Sequence, residues 1–547
     1  MPTTYRRPGV YLEESLLVNQ ATTSASFTVA AFIGVAEKGP VNEPTRVDSW
    51  SDFVTMFGGF SPITPPAPAT TQVLSYLPFS VYSFFQSGGR TAWIIRSVSA
   101  TSGEEGDPAS VDVNGALDTE DPLTSFVISA LSVGSWGNTI KYSLGTQSTV
   151  GSGDTAQDVF VLQILVTNSD GVDEVVETFP GLSISGSVPG TRRVDVAVND
   201  PAAGSQYVTI SDANEVQGQP LPTTSPVALA GGTDPGIPDA AALMGSAQQV
   251  SKVEGPVVVG IVGYHSDISK INTSESAASW VGTTVPSTAW TDRQDIFVVN
   301  DSAPPRLPNQ TSAAYKSTIQ TSLGVNPGDS YSASYGPWIL IPHPQKIGQV
   351  VAVPPGGGLM GVMSRIDATV GVFRAPAGVI AAVTNAVGVQ TKFSDTELGD
   401  LNSVNINIIR SVPGAGICVM GARTRKSFGA DHYVSARRTL IYIKESLRQT
   451  TQFAVFENND QRLWSSLRMS ADRILRPLWE AGGLKGANAA EAYFIRCDDT
   501  LNTASVIASG EVRMEVGVAL QYPAEFVIIR LTQFDQGSFT SEVSPAN

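Results

Sequence analysis

The sequence predicts an α/β core interrupted by a β-rich insertion and followed by an α+β region, and three observations carry that expectation. Over 25–100 and again over 236–400, helical spacing of apolar residues alternates with short buried-strand patterns. That alternation is the mark of a largely parallel sheet covered by helices. Over 101–235 helical periodicity nearly vanishes, and runs rich in Ser, Thr, Gly, Asp and Val alternate as strands do. From 401 the texture changes again, to two short strands, two strong helices and two closing strands.

The elements follow in order. "ASFTVAAFIGVAEKGP" (25–40) reads as a buried strand ending in a Gly/Pro turn. In "VDSWSDFVTMFGGF", Val47, Trp50, Phe53, Val54 and Phe57 have helical spacing, with Asp48 or Ser49 as cap and Gly58-Gly59 as stop. A helix over 78–87, a stop at Gly88-Gly89 and a strand over 91–98 complete a β-α-α-β opening. Inside 101–235, "DVFVLQILVTN" (158–168) and "TRRVDVAVN" (191–199) read as alternating strands of an inserted all-β domain, closed by the turn-dense "ALAGGTDPGIPD" (228–239). The α/β pattern resumes with the helix "AAALMGSAQQV" and the strands "GPVVVGIVGY", "RQDIFVVND" and "GPWILIPHP". "NSVNINIIRSVPGAGICVMGART" supplies the two short strands, and helices are expected at about 433–455 and 461–481. In the second helix Leu463, Leu467, Ile474, Leu475 and Leu478 share a face, with arginines interleaved. The closing strands are separated by Pro523.

A chain of 547 residues is long enough for about three or four domains, each with its own core. Its net charge of −16 repels phosphate, which disfavours a nucleic-acid partner. Cys418 and Cys497 each sit in an apolar run, as buried free thiols do, and no C-x-x-C or His-rich spacing suggests zinc. Apolar runs such as "PVVVGIVG" (256–263) are too short to span a bilayer, and the N-terminus shows no apolar signal core. The expectation is a soluble protein made in a cytoplasm, with no cofactor and no direct membrane insertion.

Residues that tempt a catalytic reading do not assemble into a motif. His265 follows a strand, where α/β enzymes place catalytic groups, with Asp267 two residues on, yet G-x-S-x-G is missing. "VPPGGGLMG" (353–361) lacks the G-K-[ST] ending of a phosphate loop and reads as a turn that lets backbone pass closely. His343 and His432 are isolated in sequence, and Asp498-Asp499 reads as a solvated turn.

One charge feature stands out. Between 405 and 480 the chain holds twelve bases: Arg410, Arg423, Arg425, Lys426, Arg437, Arg438, Lys444, Arg448, Arg462, Arg468, Arg473 and Arg476. Only six acids oppose them, whereas in 101–235 the sole bases are Lys141, Arg192 and Arg193. The ordinary reading is exposed helix faces laced by i,i+4 pairs. The functional one is a basic surface meeting an acidic protein, another copy of this chain included.

Five blocks together resemble the tail sheath proteins of contractile phage tails and related injection machines. "RRPGVYLEE" resembles that family's P-G-V-Y-x-E-E opening, and "FIGVAEKGPVNEPTRVDSWSDFVTMFG" is similar to its next block. "GGGLMGVMSRIDATVGVFRAPAG" (356–378) resembles P-x-G-x-x-A-G-x-x-A-x-x-D-x-x-x-G-x-x-x-A-P-A, with Met360 where many members have Ala. "LNSVNINIIRSVPGAGICVMGART" and the helix pair with "FENND" look like the C-terminal domain. The likeness runs in order through 25–100 and 240–535; the 101–235 insertion has no counterpart.

The resemblance implies a subtilisin-like α/β core at 25–100 and 236–400, a peripheral insertion at 101–235 and an α+β domain at 401–524. Extended linking arms would occupy 1–24 and 525–547. It also implies six-subunit rings stacked around an inner tube, contracting without nucleotide to drive the tube through an envelope. Baseplate and tail terminator proteins are the further partners, and the assembled location is a virion tail. In the arms, Arg7, Pro8, Gly9, Val10, Tyr11 and Leu12 would add a strand to a neighbour's sheet, as would Phe526, Val527, Ile528, Ile529 and Leu531. Pro8 suits such a strand because edge and strand-start positions need not donate every hydrogen bond. Arg437, Arg438, Lys444, Arg448 and Arg468 are the expected inner-tube contacts. The competing readings are a hydrolase on a subtilisin-like fold and another tail component such as a tube or baseplate protein.

Overall fold

The computed structural model describes residues 29–62, 75–99, 102–114, 124–150, 157–168, 170–185, 188–213, 220–238, 240–262, 295–301, 306, 309–322, 330–426, 428–525, 532–535 and 538–541. Its centre is an eight-stranded sheet. The order runs Gly416–Val419, Ile406–Val412, Ser332–Gly336, Ile296–Asp301, Val257–Ile261, Val29–Gly34, Thr91–Arg96, Thr45–Val47. The six inner strands are parallel, and each edge is closed by a short antiparallel strand. Parallel strands buried on both faces need no alternation, and Val257–Ile261 is buried throughout.

One sheet face carries Phe32, Ala92, Ile94, Val258 and Phe297 into a core shared with the helices Leu77–Gln86 and Gly356–Thr369. The other carries Ala31, Ile33, Ile95 and Val259 against the helix Ala240–Gln248. The helix Trp50–Phe57 begins where expected: Ser49 caps it by accepting from the Asp52 N–H at 3.1 Å.

The glycine run at 356–361 departs from expectation. It opens the helix Gly356–Thr369 rather than a turn. A Cβ at Gly357 or Gly361 would collide with the carbonyl oxygens of Ser80 and Phe84. The glycines therefore serve close helix–helix approach, which in sequence looks the same as a loop signal.

Two further strand expectations change. "GPWILIPHP" yields the strand Ile339–Pro342, which pairs with Val350–Val353 and Gly388–Val389 in a separate three-stranded sheet. The central strand in this part of the chain is Ser332–Gly336, whose Ser-Ala-Ser-Tyr-Gly composition hides a fully buried strand. Ile406–Val412 and Gly416–Val419, expected at the start of the α+β domain, pair at the end of the central sheet. The helix Val434–Thr450 bridges the two parts, with Val434 and Ile441 in the central core and Ile443 and Leu447 in the C-terminal one.

The chain between Thr91–Arg96 and Val257–Ile261 builds a three-stranded and a five-stranded sheet around a separate core that includes Phe126, Ile140, Leu144, Phe160, Leu162 and Ile164. It is not wholly β. "TRRVDVAVN" gives only the two-residue strand Arg192–Arg193, followed by the short helix Val194–Val198. Val194, Ala197 and Val198 are buried while Val196 is exposed, a spacing that fits one helical turn better than a strand. Arg96 fastens this unit to the core. Its fully buried guanidinium donates to the carbonyls of Ala36 (3.1 Å), Gly39 (2.9 Å) and Val133 (2.9 Å).

Candidate assembly surfaces

The basic segment folds largely as two helices, Val434–Thr450 and Gln461–Glu480, followed by the antiparallel strands Tyr493–Arg496 and Glu515–Val518. Asp460 caps the second helix by accepting from the N–H groups of Arg462 (2.8 Å) and Leu463 (3.0 Å). Ile443, Leu447, Leu475, Leu478, Tyr493 and Val516 form the core between the helices and the strand pair.

The bases do not share one surface. Arg438 is fully buried and ion-paired with Asp367 of the Gly356–Thr369 helix. Burial pushes the Asp367 carboxyl up, against the pull of Arg438. Arg437 is buried as well, paired with Asp431 and stacked over the Tyr331 ring at 4.2 Å. Burial alone would raise Asp431. Hydrogen bonds from Lys426 and Ser330 and the charge of Arg437 outweigh it and hold the carboxyl at about 2. The expectation that Arg437 and Arg438 face a partner is thus corrected, because both guanidinium groups are consumed inside the chain.

Lys444 and Arg448 are half-buried. Lys444 Nζ reaches the Tyr331 hydroxyl at 3.5 Å, and Arg448 makes two 2.7 Å bonds to the buried Glu445. Arg468 donates to the Cys497 carbonyl (3.2 Å) and Ser465 Oγ (3.1 Å) from an otherwise exposed position. On the same helix Arg462, Arg473 and Arg476 are exposed, with Met469 among them at 63% exposure. Arg476 pairs with Asp472 at 2.8 Å. Arg462, Met469, Arg473 and Arg476 form an outward stripe, and Arg468, the one singled out from sequence, lies about 120° round the helix from Arg462, at the flank of the buried face. The signal for the others was the apolar spacing of Leu463, Leu467, Ala471, Ile474 and Leu478, which turns the intervening positions outward.

A second surface is an open β edge. Among the described residues Tyr493–Arg496 and Glu515–Val518 pair only with each other, with Phe494 opposite Gly517. Among the described residues their outer edges carry no further strand beyond the single Leu484–Leu520 bridge. Unpaired N–H and C=O groups on such edges invite another strand. Just beyond Val518, Arg423 clamps Glu525 through bonds of 3.0 and 3.1 Å from Nε, a contact no sequence pattern announced.

The expected arm residues Arg7, Pro8, Gly9, Val10, Tyr11 and Leu12, and Phe526, Val527, Ile528, Ile529 and Leu531, lie outside the described residues. So do His265 and Asp267. Beyond Leu531, Thr532–Asp535 and Ser538–Ser541 pair as an antiparallel hairpin. The start of the glycine-rich helix is already occupied, since the Gly356 N–H donates to the Asp301 carboxylate at 2.6 Å. Burial pushes Asp301 up to about 7. His343 is packed edge-on to Phe60 and Phe79. Among the described residues no group of three His, Cys, Asp or Glu side chains is placed to hold a metal ion, and no helix is long and apolar enough to cross a membrane.

Residues 430–534 match the family described as the phage tail sheath C-terminal domain. The chain is similar in structure to the sheath tail protein of Listeria innocua, with TM-score 0.55 and 10% identity over 88% of this chain and 90% of that one. It is also similar to a chain of the 6-fold symmetrised anti-feeding prophage baseplate (TM-score 0.53, 19% identity, 97% of this chain and 100% of that one). A third match is the anti-feeding prophage helical sheath in its contracted state (TM-score 0.52, 19% identity, 97% and 100%). No curated protein sequence matches the chain. The chain thus carries a match to the phage tail sheath C-terminal domain over 430–534 and as a whole has the fold of tail sheath proteins.

Proposed function

We propose that this chain is a structural, non-enzymatic subunit of a contractile sheath, assembling as stacked six-subunit rings around an inner tube and contracting to drive that tube through a target envelope. The observation that carries the reading is the open two-stranded sheet inside the region that matches the sheath family. One neighbour is part of a 6-fold symmetrised baseplate and another is a helical sheath in the contracted state, which supports ring and sheath assembly.

In this reading the subunit has an α/β core of the subtilisin-like type, an inserted peripheral β domain, a C-terminal domain and two arms. The arm strand around Val10 and Leu12 from one neighbour, and that around Val527 and Ile529 from another, extend the Tyr493–Arg496 and Glu515–Val518 pair. Main-chain hydrogen bonds then tether subunits while their core-to-core contacts rearrange. A contact of this kind is heterologous, so it propagates as rings and helices instead of closing in a dimer. The inner tube meets the stripe of Arg462, Arg473 and Arg476, with Arg468 at its flank, replacing Arg437 and Arg438 in that role. Baseplate and terminator proteins bound the sheath at its two ends, in a virion tail or an equivalent injection machine assembled in a cytoplasm. No nucleic acid or cofactor takes part.

The test is negative-stain electron microscopy of the full chain beside a chain lacking 1–20. Striated hollow tubes from the full chain alone are the expected result. Tubes from both chains would remove the N-terminal arm from the reading, and a full chain that forms none even with the tube protein would overturn it.

A further inference from the structure

Between the two-stranded sheet and the C-terminal arm the chain is held chiefly at one point. Ala519 still belongs to the sheet: its N–H donates to the Ala492 carbonyl at 2.8 Å, and its carbonyl accepts from the Lys485 N–H at 2.7 Å. From Gln521 to Glu525 no backbone–backbone hydrogen bond is made among the described residues. Tyr522 lies half-exposed beside the Tyr433 ring, with centroids 6.0 Å apart. A terminal segment with so few ties frays unless something fastens it. The fastening is the Glu525 carboxylate, gripped through both oxygens by Arg423, and the Arg423 and Glu525 side chains are only 15% and 18% exposed.

Arg423 is itself fixed along its whole length. Its N–H donates to Asn407 Oδ1 and its carbonyl accepts from Asn407 Nδ2, both at 2.7 Å. Asn407 is fully buried in the central-sheet strand Ile406–Val412, and its Nδ2 also donates to the Ser334 carbonyl at 3.1 Å. Arg423 Nη1 donates at 2.8 Å to the Asn402 carbonyl in the last turn of the helix Asp395–Ser403, where a cation is favoured. Its remaining nitrogens, Nε and Nη2, both meet Glu525 in the two-pronged geometry that suits a guanidinium and a carboxylate. The pair therefore ties the end of the C-terminal unit to the central sheet through residues 102 positions apart.

We propose that the Arg423–Glu525 pair is the fixed root of the C-terminal arm, carrying the pull of an engaged arm into the central sheet and keeping it off the two-stranded sheet. It rests on the arm exchange proposed above, in which the strand around Val527 and Ile529 joins a neighbour. Only Phe526 separates Glu525 from Val527, so tension on that strand reaches the ion pair first. Without the pair the same tension acts on Ala519 and then on Val518, opening the sheet one hydrogen bond at a time from its end. That sheet is the one that receives the neighbours' strands, so the root protects the joint it serves. Arg423 is a positioning residue in this scheme, acting through Glu525.

Glu525→Ala and Glu525→Gln are compared with the unaltered chain by circular dichroism, by electron microscopy of tubes before and after a fixed shear, and by amide hydrogen exchange. The thermal midpoint of either variant moves by less than about 3 °C, since one ion pair is a small part of a chain this long. Glu525→Ala tubes form but break under shear to less than about a third of the unaltered length, and Glu525→Gln, which keeps an acceptor for Arg423, falls between. Exchange of the Ala519 and Lys485 amides rises at least about fivefold more in Glu525→Ala tubes than in unassembled Glu525→Ala chains, because only an engaged arm pulls. A merely local contact would raise exchange equally in both states. That equal rise, or sheared Glu525→Ala tubes as long as the unaltered ones, would overturn the root while leaving the sheath reading intact. An unaltered chain that forms no tubes even with the inner tube protein would overturn both.

Discussion

The two basic helices of the C-terminal unit look alike in sequence and do opposite things with their charge. Val434–Thr450 opens with six consecutive buried residues, Arg437 and Arg438 among them, so its start is enclosed on every side. Gln461–Glu480 buries one apolar stripe and sends Arg462, Arg468, Arg473 and Arg476 outward. The difference lies in what each helix packs against. The first is sandwiched between the second helix and the Gly356–Thr369 helix, whose Asp367 meets Arg438. The second packs its apolar stripe on the first helix and the strand pair and leaves its opposite face exposed. A count of charges along the chain therefore says little about a binding surface; an arginine contributes to one only when its guanidinium stays exposed, as Arg476 does beside Asp472 and Arg438 beside Asp367 does not.

The strongest way to break this comparison is at Arg438. Arg438→Ala strands the Asp367 carboxylate in a buried site, and the expected loss is about 3–5 kcal/mol of unfolding free energy, measured by denaturant titration. Replacing both partners with apolar residues of similar volume, Arg438→Met with Asp367→Leu, returns most of that loss. A single-variant loss below about 1 kcal/mol would mean that Arg438 behaves as a surface residue.

Arg437 sharpens the comparison through pH. Its partner Asp431 is held at about 2 in the folded chain, below the value of about 4 for an unfolded aspartate. Between those values the unfolded state binds more protons, so this contribution is complete above pH ~4 and fades as pH falls toward ~2. Asp431→Asn should flatten that part of the stability profile. Asp301 acts with the opposite sign: its carboxyl sits at about 7, so its contribution falls as pH rises from ~4 to ~7. Asp301→Asn should remove that decline. A profile unchanged by either substitution would contradict the placement of these carboxyls.

The sequence announced what depends on periodicity and hid what depends on tertiary partners. The strand Val29–Gly34, the Ser49-capped helix and the two C-terminal helices were legible because apolar spacing and caps are local. Ser332–Gly336 was missed because a strand covered on both faces by close neighbours can be built from small polar residues. The glycine run misled because close helix packing and loops call for the same residue. For the assembly surfaces, the open Tyr493–Arg496 edge was invisible because edge status belongs to the sheet, not to the strand. The acids that consume Arg423, Arg437 and Arg438 come from Glu525, Asp431 and Asp367. Two of those partners are 102 and 71 residues away along the chain.

The outward stripe gives the smallest effect on stability and the largest separation of stability from function. Arg476→Glu loses an exposed i,i+4 pair with Asp472 and sets a carboxylate one turn from Asp472 and from Glu480, a small effect on an exposed face, and Arg473 has no ion-pair partner among the described residues. Arg473→Glu/Arg476→Glu should therefore stay within about 1 kcal/mol of the unaltered chain in denaturant. In a co-sedimentation assay with the tube protein the same variant should bind less, and binding of the unaltered chain should weaken as salt rises, because exposed charges are screened. Reversal at Arg437 and Arg438 would also lose tube binding, but only through unfolding, which the denaturant curve reports. If the stripe variant bound tubes like the unaltered chain at low salt, the outward arginines would be no more than a solvated helix face, and the contrast between the two helices would be one of packing alone.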